Sequence, residues 1–160
     1  MAEAFIKRAG PRAPLITSER HTEILNAYRS GESKFNQWVE AALGDITLDS
    51  WSWGRLAMTW VIDDRFVMPD GVMFGGHVAS VADHVAGLVT MSALDDSADR
   101  FRTSRLETNF FRPIMKPKAR IEAAAINVSK SLIHVEADFF NAEERLAARV
   151  LAVQVRRRAE

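Results

Sequence analysis

The chain has 160 residues, 48% of them hydrophobic and 26% charged, and its formal net charge is zero. That is enough chain for one sizeable core, of ordinary globular composition, with no net field to attract nucleic acid or an anionic membrane. It contains no cysteine, which excludes disulfides, thiolate metal sites and a cysteine nucleophile, and which fits a reducing, cytoplasmic setting.

Residues 1–14 hold two of the five prolines and read as an extended arm without an apolar signal-peptide core. Thr17 to Leu43 reads as helical, with Ile24, Leu25, Tyr28, Phe35, Trp38, Val39 and Leu43 as its apolar positions. Ser18 is the candidate cap, Gly31 divides the segment and Gly44 ends it. Ile46 to Trp53 reads as a strand, Gly54 as a turn, and Arg55 to Asp63 as a second strand in which Leu56, Met58, Trp60 and Ile62 alternate with their neighbours. A helix from Gly75 to about Leu94 follows, apolar over much of its circumference and so expected to be buried. After a polar loop, Asp95 to Asp99, come four more strands: Phe101 to Arg112, Ala119 to Val128, Leu132 to Asn141 and Arg145 to Arg156. Their short connections favour antiparallel neighbours. No apolar run reaches membrane-spanning length. Arg156-Arg157-Arg158 reads as a solvated tail.

The order is two strands, one long central helix, then four strands. An antiparallel sheet wrapped around one buried helix is a hot-dog fold, of class α+β, here with an N-terminal helical extension. Residues 1–45 are expected to form the arm and extension, and residues 46–160 the hot-dog domain.

Chemistry concentrates at the start of the central helix, in Asp70-Gly71-Val72-Met73-Phe74-Gly75-Gly76-His77. A helix opening on Gly-Gly lets a ligand approach the backbone closely. Its first N–H groups have no partner inside the helix and lie at the positive end of its dipole. The Gly75 N–H is thus a candidate to polarise a carbonyl oxygen, with Gly76 beside it. Two turns on, Asp83 shares one stripe of small or polar residues with Gly76, Ser80, Gly87 and Thr90. A carboxylate there is a candidate base or nucleophile. Its competing reading is a partly buried Asp paired with an Arg or a hydroxyl. His77 and His84 are seven residues apart, about 10 Å along a helix, too far for one metal. His77, next to Gly76, is the one placed to turn toward a ligand, against a competing reading as a surface or interface histidine.

These residues resemble the hot-dog acyl-CoA thioesterases of the phenylacetyl-CoA type. That pattern runs from a strand hairpin, through an Asn or Gln and a His-Gly-Gly, to an acidic residue seven positions after the second Gly. Here the hairpin is Ile46 to Asp63, the Gly pair is Gly75-Gly76 and the acid is Asp83. A Thr or Ser opening a strand that ends in an aromatic and Pro matches Thr103 to Phe110-Phe111-Arg112-Pro113, and the family's Gly-Arg or Gly-Lys turn stands as Ser129-Lys130. Met68 occupies the place of the family's amide and Phe74 that of its His.

The resemblance implies hydrolysis of an acyl-CoA thioester to free acid and CoA. Gly75 would polarise the carbonyl, Asp83 would be base or nucleophile, and Thr103 would assist the water. Coenzyme A enters as substrate, and no metal or other cofactor is implied. Met68, Phe74, Gly76 and His77 would line the substrate, with Arg112 and Lys130 near its phosphates. Met68 and Phe74 have a competing reading as plain core packing. The resemblance also implies self-association as a dimer or tetramer, with sites formed between two subunits. The alternative is a non-catalytic acyl-CoA or lipid-binding protein, for which the apolar Met68 and Phe74 speak.

Overall fold

A computed structural model describes residues 15–158; the arm expected over residues 1–14 lies outside them. Helix α1 spans Glu19–Ser30 and α2 Lys34–Leu43. Ser18 caps α1 by accepting from the His21 N–H, and Gly31, at φ 78°, takes the left-handed position that closes it. Strand β1 is Ile46–Ser52 and β2 Arg55–Val61, joined by Trp53 and Gly54, the latter at φ 64°. After a single 3-10 turn at Asp64–Phe66 comes α3, Gly75–Ser92. Strands β3 (Arg100–Phe110), β4 (Lys118–Val128), β5 (Leu132–Phe140) and β6 (Leu146–Arg157) complete the chain.

All six strands form one antiparallel sheet in the order β1-β2-β4-β5-β6-β3. The inward face alternates as a half-buried strand requires: Leu56, Met58 and Trp60 on β2, Ile121 and Ala123 on β4, Val135, Ala137 and Phe139 on β5, Val150 and Ala152 on β6. Val78, Val81, Val85 and Val89 of α3 are buried against them. Leu25, Tyr28, Val39 and Leu43 extend the same core into α1 and α2. This is the hot-dog architecture. Among the described residues no helix is long and apolar enough to cross a membrane.

Two expectations change. Helix α3 is not enclosed all round, because Gly76, Ser80 and Asp83 form an exposed face. In the basic run Arg157 and Arg158 are exposed as expected, but Arg156 is not. Arg156 continues the inward register of Ala148, Val150 and Ala152, and its side chain is 3% exposed. Its Nε donates to Asp99 Oδ2 at 2.8 Å, and its Nη2 also meets Asp95 and Asp99. Buried guanidinium and carboxylate tie the α3–β3 loop to β6. Removing one partner would leave a buried charge uncompensated, at a cost of about 3–5 kcal/mol.

Candidate active site

Asp83 sits two turns into α3, where the exposed face of that helix meets β3. Thr103 Oγ1 lies 2.6 Å from Asp83 Oδ1. Among the described residues the second carboxylate oxygen, Oδ2, makes no hydrogen bond or ion pair. Thr103 holds its place because β3 pairs with β6, which sets Thr103 opposite Gln154. The register slips between Thr103 and Arg105, a bulge of the kind that re-aims a side chain beside a site.

The carboxylate opens into a cleft of about 330 Å³ between α2, α3 and β3. Its walls include Phe35 and Trp38 from α2, Met91 from α3 and Phe101 from β3. Phe35 and Trp38 are stacked, with centroids 5.4 Å apart and planes 10° from parallel. His84 lies behind them, 5.6 Å from the Phe35 ring, with its Nε2 3.0 Å from the Tyr28 hydroxyl. Burial pushes His84 down to about 4, the neighbouring Asp83 opposing this, and burial pushes Tyr28 up to about 12. Both are neutral at neutral pH, and the phenol and the imidazole share a single hydrogen bond.

The start of α3 is a second centre. Its cap residue, Phe74, gives no side-chain hydrogen bond to the helix, and the first N–H with a partner in its own turn is that of His77. Two exposed aromatic rings lie close over the glycines. A Cβ on Gly75 would meet the Phe110 ring at 3.2 Å, and one on Gly76 would meet the Phe74 ring at 2.6 Å. Phe74, Phe110 and Phe111 are 57%, 55% and 54% exposed. Met68, in the turn closed by Gly71 N–H to Met68 O, is 38% exposed. The core-packing reading of Met68 and Phe74 is therefore corrected, because both face outward.

The other expected residues lie elsewhere. His77 turns away from the exposed face into the core, donates from Nε2 to Leu43 O at 2.9 Å and stacks on Phe66 at 3.7 Å. Burial holds it below its ordinary value. It pins α3 to the end of α2 and is not a ligand-facing group. Arg112, beyond the end of β3, donates to Leu146 O at 2.8 Å. Lys130 lines a separate hollow with Trp53, Asp95 and Arg158. Neither shares the cleft of Asp83 within one protomer. Trp51 packs on the extension, donating to Asn26 at 3.1 Å. Reading the sequence missed Gln154. The signal was present, since the β6 alternation through Val150 and Ala152 runs on to residue 154.

The comparisons with known proteins agree with this fold. The thioesterase superfamily model matches residues 70–148, a span that contains Gly75, Asp83 and Thr103. A Saccharolobus solfataricus protein named as an esterase is 27% identical over 107 residues, covering 67% of this chain and 75% of its own. A phenylacetic acid degradation-related protein of Ralstonia eutropha superposes with a TM-score of 0.73 at 22% identity, over 86% of this chain and 99% of that one. A Haemophilus influenzae thioesterase gives 0.69 at 20% identity, over 77% and 87%. A hypothetical thioesterase of Streptococcus pneumoniae, solved with coenzyme A, gives 0.67 at 15% identity, over 73% and 89%.

Proposed function

We propose that the protein hydrolyses acyl-CoA thioesters, with Asp83 as the general base or nucleophile. The observation that carries this reading is the Thr103–Asp83 pair, 2.6 Å apart at the mouth of an apolar cleft. As base, the free Oδ2 takes a proton from water as that water adds to the thioester carbon; the C–S bond then breaks and the proton passes to the departing CoA thiolate. As nucleophile, Oδ2 adds to the carbon, the C–S bond breaks to release the CoA thiolate and leave a mixed anhydride, and water then cleaves that anhydride, freeing the acid, restoring the Asp83 carboxylate and giving its proton to the thiolate. Phe35, Trp38 and Phe101 supply an apolar wall for the acyl group. The superfamily match and the coenzyme A in the pneumococcal neighbour support a CoA thioester as the substrate.

Polarisation of the carbonyl falls to a second copy of the chain. Gly75 and Asp83 are eight residues apart on one helix, about 12 Å, whereas one carbonyl group must lie about 3 Å from both. Among the described residues strand β3 is an edge of the sheet with its outer side unpaired. If two β3 strands pair antiparallel about a two-fold at Glu107, the slip between Thr103 and Arg105 sets Thr103 opposite the partner's Phe110. Phe110 rests on Gly75 of its own chain, so this register brings each Asp83 to the other subunit's helix start. The assembly would be a dimer, or a tetramer built from such dimers.

The test is release of free CoA from a panel of acyl-CoAs by wild type and Asp83→Asn. Loss of a general base is expected to lower kcat about 10²–10⁴-fold with the fold intact. Equal turnover by both would overturn the role of Asp83. Tight CoA binding without turnover by wild type would favour the acyl-CoA-binding reading, for which the apolar Met68 and Phe74 at the helix start speak.

A further inference from the structure

Gln154 is fully buried, on the second half of β6, and among the described residues one end of its amide, Nε2, has no hydrogen-bond partner. Its cross-strand neighbour on one side is Ile133, which offers no polar side chain; on the other it is Thr103, whose Oγ1 lies 3.1 Å from the amide oxygen Oε1. Nothing in the packing requires an amide here, since the preceding inward positions of the strand are Ala148, Val150 and Ala152. Burying an amide with an unpaired end is costly, so its presence calls for a use.

Proton counting supplies one. A threonine hydroxyl has a single proton. At 2.6 Å that proton belongs to the bond with Asp83 Oδ1, because an ionised carboxylate only accepts. Thr103 Oγ1 then has lone pairs alone for Gln154, so the amide must serve it with Nε2–H. The two ends of an amide are nearly equal in size, and this orientation gives the orphaned Nε2 its partner. It leaves under-used a carbonyl, the better tolerated of the two. With the amide turned end for end, the chain of donors runs Gln154 Nε2–H to Thr103 Oγ1–H to Asp83 Oδ1.

We infer that Gln154 is a positioning residue, which sets the Thr103 hydroxyl so that its proton holds one carboxylate oxygen of Asp83 and leaves the other aimed into the cleft. It touches no substrate and acts through Thr103. The kinetic consequence rests on the hydrolytic reading above; the geometric one does not. An acceptor-only side chain at 154 would draw the Thr103 proton away from Asp83. An apolar one would leave the hydroxyl free to rotate.

Gln154→Met tests this, since Met has nearly the same length and no polar atom. The melting temperature is expected to stay level or rise, because a buried, partly unpaired amide is removed. At the same time kcat is expected to fall about three- to tenfold, with KM little changed. In a Thr103→Val background the same change is expected to cost nothing further, as the chain is already cut. An equal loss in both backgrounds, or no loss with Thr103 present, would overturn the inference. A crystal structure of Gln154→Met supplies a readout free of activity. A turned Thr103 hydroxyl supports the positioning role, and an unchanged 2.6 Å contact to Asp83 overturns it. Absence of thioester turnover by wild type would defeat the hydrolytic reading while leaving this structural comparison to decide the role of Gln154.

Discussion

His84 makes the fold sensitive to mild acid in a way that can be isolated. In the folded chain burial depresses it from 6.5 to about 4, with Asp83 opposing from outside the ring's pocket. The groups packed on it, Tyr28 and Phe35, bring no positive or negative charge. The unfolded chain takes up a proton near the ordinary value, whereas the folded chain refuses it until about pH 4. Stability from the neutral imidazole is thus fully present above the unfolded value and is lost as pH falls through the folded one. At 1.36 kcal/mol per pH unit, the loss across that window is about 3 kcal/mol. Against a typical total of about 5–15 kcal/mol, that is a large share. The perturbation is His84→Gln, whose amide can donate to or accept from the Tyr28 hydroxyl and which removes the titration. Urea unfolding of both proteins, at one protein concentration and a series of pH values, gives the difference in stability. That difference is expected to be constant above about pH 7 and to move by about 3 kcal/mol in favour of the variant by pH 4. His21 and His77 are also held low by burial, but they are common to both proteins and cancel. Parallel stability curves would refute the burial of a neutral His84.

Two further outcomes bear on the helix start and on the assembly. Gly75→Ala is expected to leave stability unchanged or raise it by up to about 1 kcal/mol, because the exposed Phe110 ring can yield the space. It is expected to lower kcat/KM at least about tenfold by crowding the N–H that meets the carbonyl; a drop in melting temperature with full activity would refute this. Mixing inactive Asp83→Asn with inactive Gly75→Phe under conditions that exchange subunits is expected to restore activity to about a quarter of wild type, since half the pairs carry one intact site of two. No recovery, or a monomer in sedimentation, would sink the shared site.

The residues that made the fold legible were those whose role is local. Ser18, Gly31, Gly44 and Gly54 announce caps and turns by their own backbone and side-chain chemistry, and they stand where their types suggest. The alternation in β2 likewise needs only its neighbours. The strand order was not legible, because nothing in β3 says that its partner is β6. His77 was misplaced for a related reason: a histidine beside a glycine pair reads as a ligand, and only the arrival of Leu43 O and Phe66 from distant positions turns it inward. Arg156 was misread because charge type outweighed strand register, and its counter-charges Asp95 and Asp99 lie far back in the sequence, in the loop between α3 and β3. In the site, the spacing from Gly75 to Asp83 was readable; the Thr103 contact depends on sheet pairing, and Gln154 could be found only by carrying the alternation of β6 to its end.

The strand order also sets a timetable. Strand β3 precedes β4 and β5 in the chain, yet among the described residues its one neighbour in the sheet is β6. A chain growing from its N-terminus can close the β1–β2 hairpin at once and add β4 and β5 as they emerge. Strand β3 must meanwhile wait, half-made and unpaired, for the final strand. Asp99 waits with it, since Arg156 arrives on that same strand. Pairings so distant along the chain form late and slowly, and an open edge held through that interval invites association with other unfinished chains. Expression conditions that slow synthesis or supply a chaperone should therefore matter more for this protein than its modest size suggests.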